Sequence, residues 1–337
     1  MVQDTQNDPG YLVEVDATEV DAFVRHLKRH KLRAKVSVRP VESDAFSVWS
    51  VWRTEERWTP HRASLAAGVM GGESAGMVGT GVDAAMNPDS VIQLVDSRAP
   101  GFGRRLVLFA GDGMGTGTGT RSESRSGSRA DEGLAQSFAD LPDVLPRAYQ
   151  VRRYLYGIPE GSAEIHRDAA LPLEHNIDYM GGIDFRKGCY IGQELTIRTH
   201  HTGVVRKRML PVALYPSGEK STSAELEPPA QLEYDDGISS QLSTYPPAGT
   251  DMKKVGGKGR SAGRWVAGVG NIGLGLCRLE MMTDIRLTAE TPQWSPEQRF
   301  EMQWMVDGVQ KQVGVKAFVP EWHRGKERVR SPPKRVG

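Results

Sequence analysis

The chain has 337 residues, 43 Lys and Arg against 42 Asp and Glu, a formal net charge of +1, and two cysteines. That length accommodates two domains with a sizeable core, and the balanced charge supplies no field drawing the chain to nucleic acid or an anionic membrane. The apolar runs are strand-sized, not membrane-sized, and two distant cysteines, Cys189 and Cys277, argue against a disulfide framework and for a reducing compartment.

Residues 1–8 are acidic and lack an arginine-rich amphipathic helix, so no transit peptide is visible there. Residues 11–15 alternate as a strand does. Asp16 stands three residues before Glu19, a capping-box spacing with Asp as the cap. Val20, Phe23, Val24 and Leu27 then mark one apolar helical face, opposite a solvated face of Arg25, Lys28, Arg29 and Lys31. Residues 35–41 and 46–52 read as paired strands. Strand, helix, strand and strand together predict an α+β arrangement, a sheet layered with helices.

Residues 67–90 and about 111–140 are rich in glycine, serine and other small residues, and read as flexible insertions. The glycines of 111–119 are not followed by G-K-[ST], so no phosphate loop is expected. A helix over 141–156 is stopped by Gly157, with Pro159 just beyond.

The run Lys187-Gly188-Cys189-Tyr190-Ile191-Gly192-Gln193-Glu194 sets one cysteine between glycines, beside a lysine and ahead of a helix-compatible stretch. Positive charge and a helix N-terminus both favour thiolate, the form that attacks electrophiles and binds metals. Gly188 and Gly192 permit a tight path that a Cβ would resist. Cys277, within LGLCRL, reads as buried strand core. Neither cysteine belongs to a CxxC pair or a Cys/His cluster, so the sequence does not predict a self-sufficient metal site.

Past Arg206 the pattern changes to short strands at 209–214, 266–269, 274–280, 285–287, 300–305 and 313–319 with glycine turns, the signature of a small barrel. A polar, proline- and glycine-rich insertion over about 217–263 interrupts it. The tail from Arg324 carries six basic residues and one acid and reads as disordered; without interleaved aromatics it gives no case for nucleic-acid binding.

The KGCYIGQE run matches the signature K-G-C-[YF]-x-G-Q-E of the YgfZ family, relatives of the glycine-cleavage T protein (GcvT). YLVEVD at 11–16, DSRAPGFGR at 96–104, RYLYGIPEG at 153–161 and LPLEHNID at 171–178 resemble that family in the same order, and LTIRTHHTG at 195–203 resembles its eukaryotic, mitochondrial branch. The likeness resumes near 264–281. It implies a GcvT/YgfZ-like folate-binding fold over residues 1–205 and a C-terminal β-barrel domain over 206–323, followed by a basic tail at 324–337. Family members carry a segment ahead of the stretch that begins here at Tyr11, so the first domain is expected to be N-terminally incomplete.

The resemblance also implies function: an assembly factor of the mitochondrial matrix, a monomer forming a heterocomplex, acting late in [4Fe-4S] protein maturation. Cys189 would contribute to a [2Fe-2S] or [4Fe-4S] cluster shared with an A-type iron–sulfur scaffold protein. Lys187 and Arg186 would favour its thiolate, Tyr190 would wall the site, and Gln193 and Glu194 would bond loop amides or orient the segment, a plain helix-start role being the equal alternative for Glu194. The competing reading is a tetrahydrofolate-dependent aminomethyl or one-carbon transferase, or a folate-binding regulator. It would use Glu174, Asn176 and Asp178 on the pterin edge, Tyr190 as aromatic wall and Arg98 or Arg198 on the glutamate tail. His200 and His201 are the remaining candidates, as a base for a cysteine nucleophile or as metal ligands.

Overall fold

The computed structural model describes residues 2–3, 9–41, 46–52, 91–109, 146–190, 192–217, 228–235, 244–257, 259–287 and 294–326. The expected insertions at 67–90 and 111–140 lie outside the described residues, as does the tail beyond Lys326.

Two short strands, β1 (Val2–Gln3) and β2 (Pro9–Gly10), pair antiparallel. Residues 11–15, expected as a strand, are irregular and exposed, Tyr11 at 84% and Val13 at 57%. Alternation favours an extended chain, but a strand needs a ladder partner, and none lies beside this segment among the described residues. Asp16 caps the turn that leads into α1 (Val20–His30), accepting from the Thr18 N–H at 3.0 Å. It also accepts from the Ser162 N–H and hydroxyl, both at 2.9 Å. The Ser162 N–H, then the Thr18 hydroxyl, hold its carboxyl well below the usual carboxylate range. The apolar face of α1 is present but only half-buried.

β3 (Phe46–Val51), β4 (Val91–Val95) and β5 (Arg104–Phe109) form an antiparallel sheet in the order β3-β5-β4. The expected pairing of 35–41 with 46–52 is therefore wrong. Residues 35–41 are irregular, and β3 takes its hydrogen bonds from β5, with Val48 opposite Val107. α2 (Pro146–Tyr156) follows and stops at Gly157, whose φ of +69° is a left-handed conformation that glycine adopts without strain.

The second half is a closed barrel. β6 (Lys207–Tyr215), β7 (Asp251–Lys254), β8 (Gly263–Val269), β9 (Ile272–Arg278), β10 (Phe300–Val306) and β11 (Val309–Ala317) run in the order β10-β11-β6-β9-β8-β7, and β7 closes back on β10. Closure removes the exposed edges that an open sheet presents. Leu210, Val212, Met252, Trp265, Cys277, Met302 and Val315 belong to the core it encloses. Burial pushes the Cys277 thiol pKa upward, as expected of core sulfur.

Two barrel expectations are corrected. The 217–263 insertion ends earlier: β7 lies within it, and Met252 and Ala262 are fully buried. Residues 285–287 are not a strand. Ile285 donates its N–H to the Thr283 hydroxyl and Leu287 to the Glu280 carboxylate, so both amides are satisfied by the turn after α4 (Leu279–Met282).

From Arg208 onward β6 is buried at every position, which alternation alone would not produce. Leu210, Val212 and Leu214 join the barrel core, while Met209 packs with Tyr154, Val269, Ile272 and Leu274 beneath α2. After β11 the chain returns to the first half, where Trp322 packs with Phe102 and Ile158 and donates its indole N–H to the Tyr156 carbonyl at 3.0 Å.

Candidate functional site

The cysteine loop springs from a compact run of turns at 171–182, closed by bonds such as Ile177 N–H to Pro172 O (3.0 Å) and Gly182 N–H to Ile177 O (2.8 Å). Asn176 takes a left-handed φ of +62°, a conformation asparagine tolerates better than most residues. That turn aims its fully buried side chain at the barrel, where Nδ2 donates to Met209 O at 2.7 Å and Gly157 O at 3.2 Å. Asp178 and Arg208 make a two-pronged ion pair at 2.8 and 2.9 Å. Arg208 also donates to Leu173 O at 2.7 Å, and its guanidinium lies 3.6 Å above the Tyr179 ring. Glu174 pairs with Lys207 at 2.9 Å, and its carbonyl accepts from Met209 N–H at 2.7 Å.

The three residues nominated for a pterin edge therefore act together in another way. Each of Glu174, Asn176 and Asp178 bonds the opening residues of β6. Arg98, nominated for the glutamate tail, belongs to a different cluster. It bonds Asp96 and Glu160 and donates to the Tyr149 hydroxyl at 2.7 Å, while Tyr149 donates to Glu160 at 2.6 Å. Burial raises the Tyr149 pKa, and the Glu160 carboxylate adds to that effect. Arg198 is exposed on α3 (Gln193–Thr202).

Above this base, Asp184 accepts from Arg186 N–H at 2.8 Å, and Phe185 stacks on His200, centroids 3.5 Å apart with 13° between planes. The stack folds the start of the loop against the far end of α3. His201 meets His200 edge-on at 5.0 Å and is exposed. The Lys187 ammonium sits 4.3 Å above the Tyr190 ring, so the two residues flanking the Gly188–Cys189 step touch each other. Cys189 is exposed. Gln193 closes the loop reciprocally: its side-chain oxygen accepts from Tyr190 N–H and its own N–H donates to Tyr190 O, both at 3.3 Å. Glu194 is exposed in the first turn of α3, where a carboxylate favours the helix N-terminus.

The two glycines differ. Gly192 has φ +87° at the cap of α3, so the chain's own path calls for glycine. Gly188 does not have a left-handed φ, and a Cβ added there would meet nothing within 4 Å. The fold itself therefore gives no reason for glycine beside the thiol. Among the described residues no three His, Cys, Asp or Glu side chains gather in a way that could hold a metal ion.

Several contributors escaped the sequence reading: Lys207 and Arg208 as partners of Glu174 and Asp178, and Phe185 as the platform for His200. The run Arg206-Lys207-Arg208, opening an otherwise apolar strand, was the available signal, since charges entering a buried strand require partners.

Comparison with known proteins adds an independent line. Residues 206–325 match the family described as CAF17, C-terminal beta-barrel domain. A protein of Aspergillus clavatus named iron-sulfur cluster assembly factor IBA57 homolog, mitochondrial, is 44% identical over 327 residues, spanning 94% of this chain and 65% of the relative. The homolog of the same name from Aspergillus fumigatus is 44% identical over 332 residues, covering 95% and 66%. The Pyricularia oryzae homolog is 39% identical over 324 residues, covering 94% and 68%. The chain thus spans about two thirds of the length of the curated relatives it matches. With the matched barrel, this likeness shows that the chain belongs to the YgfZ/GcvT-like family that includes the mitochondrial iron–sulfur cluster assembly factor IBA57 homologues.

Proposed function

We propose that this chain is a mitochondrial iron–sulfur cluster assembly factor that acts late, when [4Fe-4S] proteins mature, and that Cys189 supplies a thiolate to a cluster shared with an A-type scaffold protein. The cluster is cargo, not a resident cofactor. The observation that carries the reading is an exposed thiol beside an open glycine, on a loop whose base is fastened to the barrel. The names of the relatives support the process and the compartment.

The chemistry follows from the arrangement. Iron in such clusters takes thiolate ligands, and one chain can complete a site begun by another. Cys189 stands without a second cysteine among its neighbours in sequence, so the other ligands come from the partner. Gly188 leaves room for the partner's backbone to approach the sulfur. The Lys187–Tyr190 contact joins the two residues that flank Gly188 and Cys189 while the thiol stays exposed, and Gln193 holds the loop in register with α3.

The test is anaerobic mixing of the protein, wild type or Cys189→Ser, with an A-type scaffold carrying [2Fe-2S], reading elution and visible absorption together. A coloured complex with wild type and none with the serine variant is expected. Equal, stable colour with both would remove the ligand role.

A further inference from the structure

A cavity of about 260 Å³ opens beside the cysteine helix, between the 171–174 turn, α3, the 204–206 approach to the barrel and the barrel residues Lys207 and Arg278. Its apolar lining includes Leu171, Pro172, Leu195 and Val204, and two of these stand at the surface, Leu171 40% and Leu195 45% exposed. Its polar lining is cationic: Arg206, Lys207 and Arg278 against Glu174. Lys207 and Glu174 pair with each other at 2.9 Å and cancel. Arg278 spends its Nε–H on the Ser261 carbonyl at 2.9 Å, and Arg206 is exposed with no side-chain partner among the described residues. Among the described residues neither of these two guanidinium groups, which adjoin apolar walls, is ion-paired, since the carboxylate of Glu174 is engaged by Lys207.

Size and charge together select the occupant. Sites that engulf a drug-sized molecule have about 300–1,000 Å³ and bury most of its surface. This cavity falls below that range and suits a protruding side chain. Unopposed guanidinium groups next to apolar walls complement a carboxylate beside that side chain. We propose that the cavity docks a segment of the cluster-carrying partner protein in which a large apolar side chain is flanked by an acidic residue. The inference rests on the reading of this chain as a factor that meets such a partner, and it adds where the partner is held. Leu195 is six residues from Cys189, so their Cα atoms lie within about 22 Å even for a fully extended chain. A partner seated in the cavity brings its own ligands into the neighbourhood of the sulfur.

The experiment measures affinity for an A-type scaffold, cluster-free and [2Fe-2S]-loaded, by titration calorimetry with the full chain. The variants are Leu195→Asp, Arg206→Glu, their milder forms Leu195→Ala and Arg206→Ala, and Cys189→Ser, each checked for native circular dichroism. Docking predicts at least tenfold weaker binding for Leu195→Asp and Arg206→Glu, about 1.4 kcal/mol each. The alanine forms should fall between, and Arg206→Glu should flatten the salt dependence of binding. Cys189→Ser should keep the cluster-free affinity within about twofold while losing the coloured complex. Folded cavity variants that bind as wild type overturn the docking site, and if Cys189→Ser still loses the colour, the cluster reading stands without it. Loss of 5-formyltetrahydrofolate binding in Leu195→Asp, with scaffold affinity unchanged, would assign the cavity to a small molecule and also overturn docking. A wild-type chain that binds neither form of the scaffold overturns both readings together.

Discussion

Replacing Arg208 should show that the base of the cysteine loop is held by a buried charge pair. The Asp178 and Arg208 side chains are 11% and 6% exposed, and the pair is doubled, with bonds of 2.8 and 2.9 Å. Exposed ion pairs contribute about 0–1 kcal/mol, but removing one partner of a buried pair costs about 3–5 kcal/mol because the other charge is left desolvated. Arg208→Ala also strips the Leu173 carbonyl of its donor, worth about 1 kcal/mol, and uncovers the Tyr179 ring. Asp178→Asn isolates the charge effect with almost no change of shape. At about 2–4 °C per kcal/mol for a domain of 150–250 residues, a 3–5 kcal/mol loss lowers Tm by about 6–20 °C. Denaturant titration and a thermal scan of wild type, Asp178→Asn, Arg208→Ala and the pair Asp178→Leu/Arg208→Met would measure this. The apolar double replacement should lie closer to wild type than either single change, as buried pairs do when both charges leave together. A loss below about 1 kcal/mol in Asp178→Asn would refute the reasoning, because that is the value of a solvated pair.

Other outcomes follow from particular side chains. His323 is buried against Tyr179 and Trp322, and burial, then the charges of Arg208 and Lys326, hold its imidazole well below its ordinary 6.5. The unfolded chain therefore binds a proton that the folded chain refuses, so this stability is complete above pH 6.5 and is lost as pH falls below it. His323→Gln should flatten the fall in denaturation midpoint between about pH 7.5 and 5.5; an unchanged slope would contradict the assignment. With Cys189 exposed and Cys277 buried, a thiol reagent such as dithionitrobenzoate should titrate one of the two thiols in the native protein and the second only after denaturation. Gly192→Ala should cost about 1–2 kcal/mol through its left-handed φ. Gly188→Ala should change stability by under about 0.5 kcal/mol while weakening the coloured complex, and a matching loss of stability would show that the chain itself needs that glycine.

What the sequence conveyed depended on how local the cause was. α1 announced itself through its cap and its apolar period, α2 through its glycine stop, and most barrel strands as short apolar runs between glycine turns. β7 was hidden because only Met252 of its four residues is apolar and its surroundings are polar and proline-rich. Its strand character comes from closing the ring, a property of the barrel and not of the segment. The strand expected at 11–15 failed for the complementary reason: a good local pattern with no ladder beside it among the described residues. At the site, the octapeptide picks out the thiol, whereas Glu174, Asn176 and Asp178 suit a pterin edge and a turn equally well in sequence, and their partners in β6 are not visible there. Polar residues that rivet two pieces of a fold and polar residues that grip a ligand have the same composition. Only the topology, which puts Arg208 within reach of Asp178 from 30 residues away, separates them.

β6 has a mechanical consequence. Its inner face belongs to the barrel core, its outer face is covered by α2, and its first residues hold the 171–182 turn. Moving that strand would open two cores at once, so the motion left to the sulfur is that of the loop from residue 183 to residue 190 against a fixed footing. A short tether on a stationary anchor confines the thiol to a small volume, which would keep its effective concentration high at a partner docked as proposed. In the proposed ligand role the sulfur would lose little freedom on binding iron, and lengthening that tether should then speed release of the cluster without altering any contact at the metal.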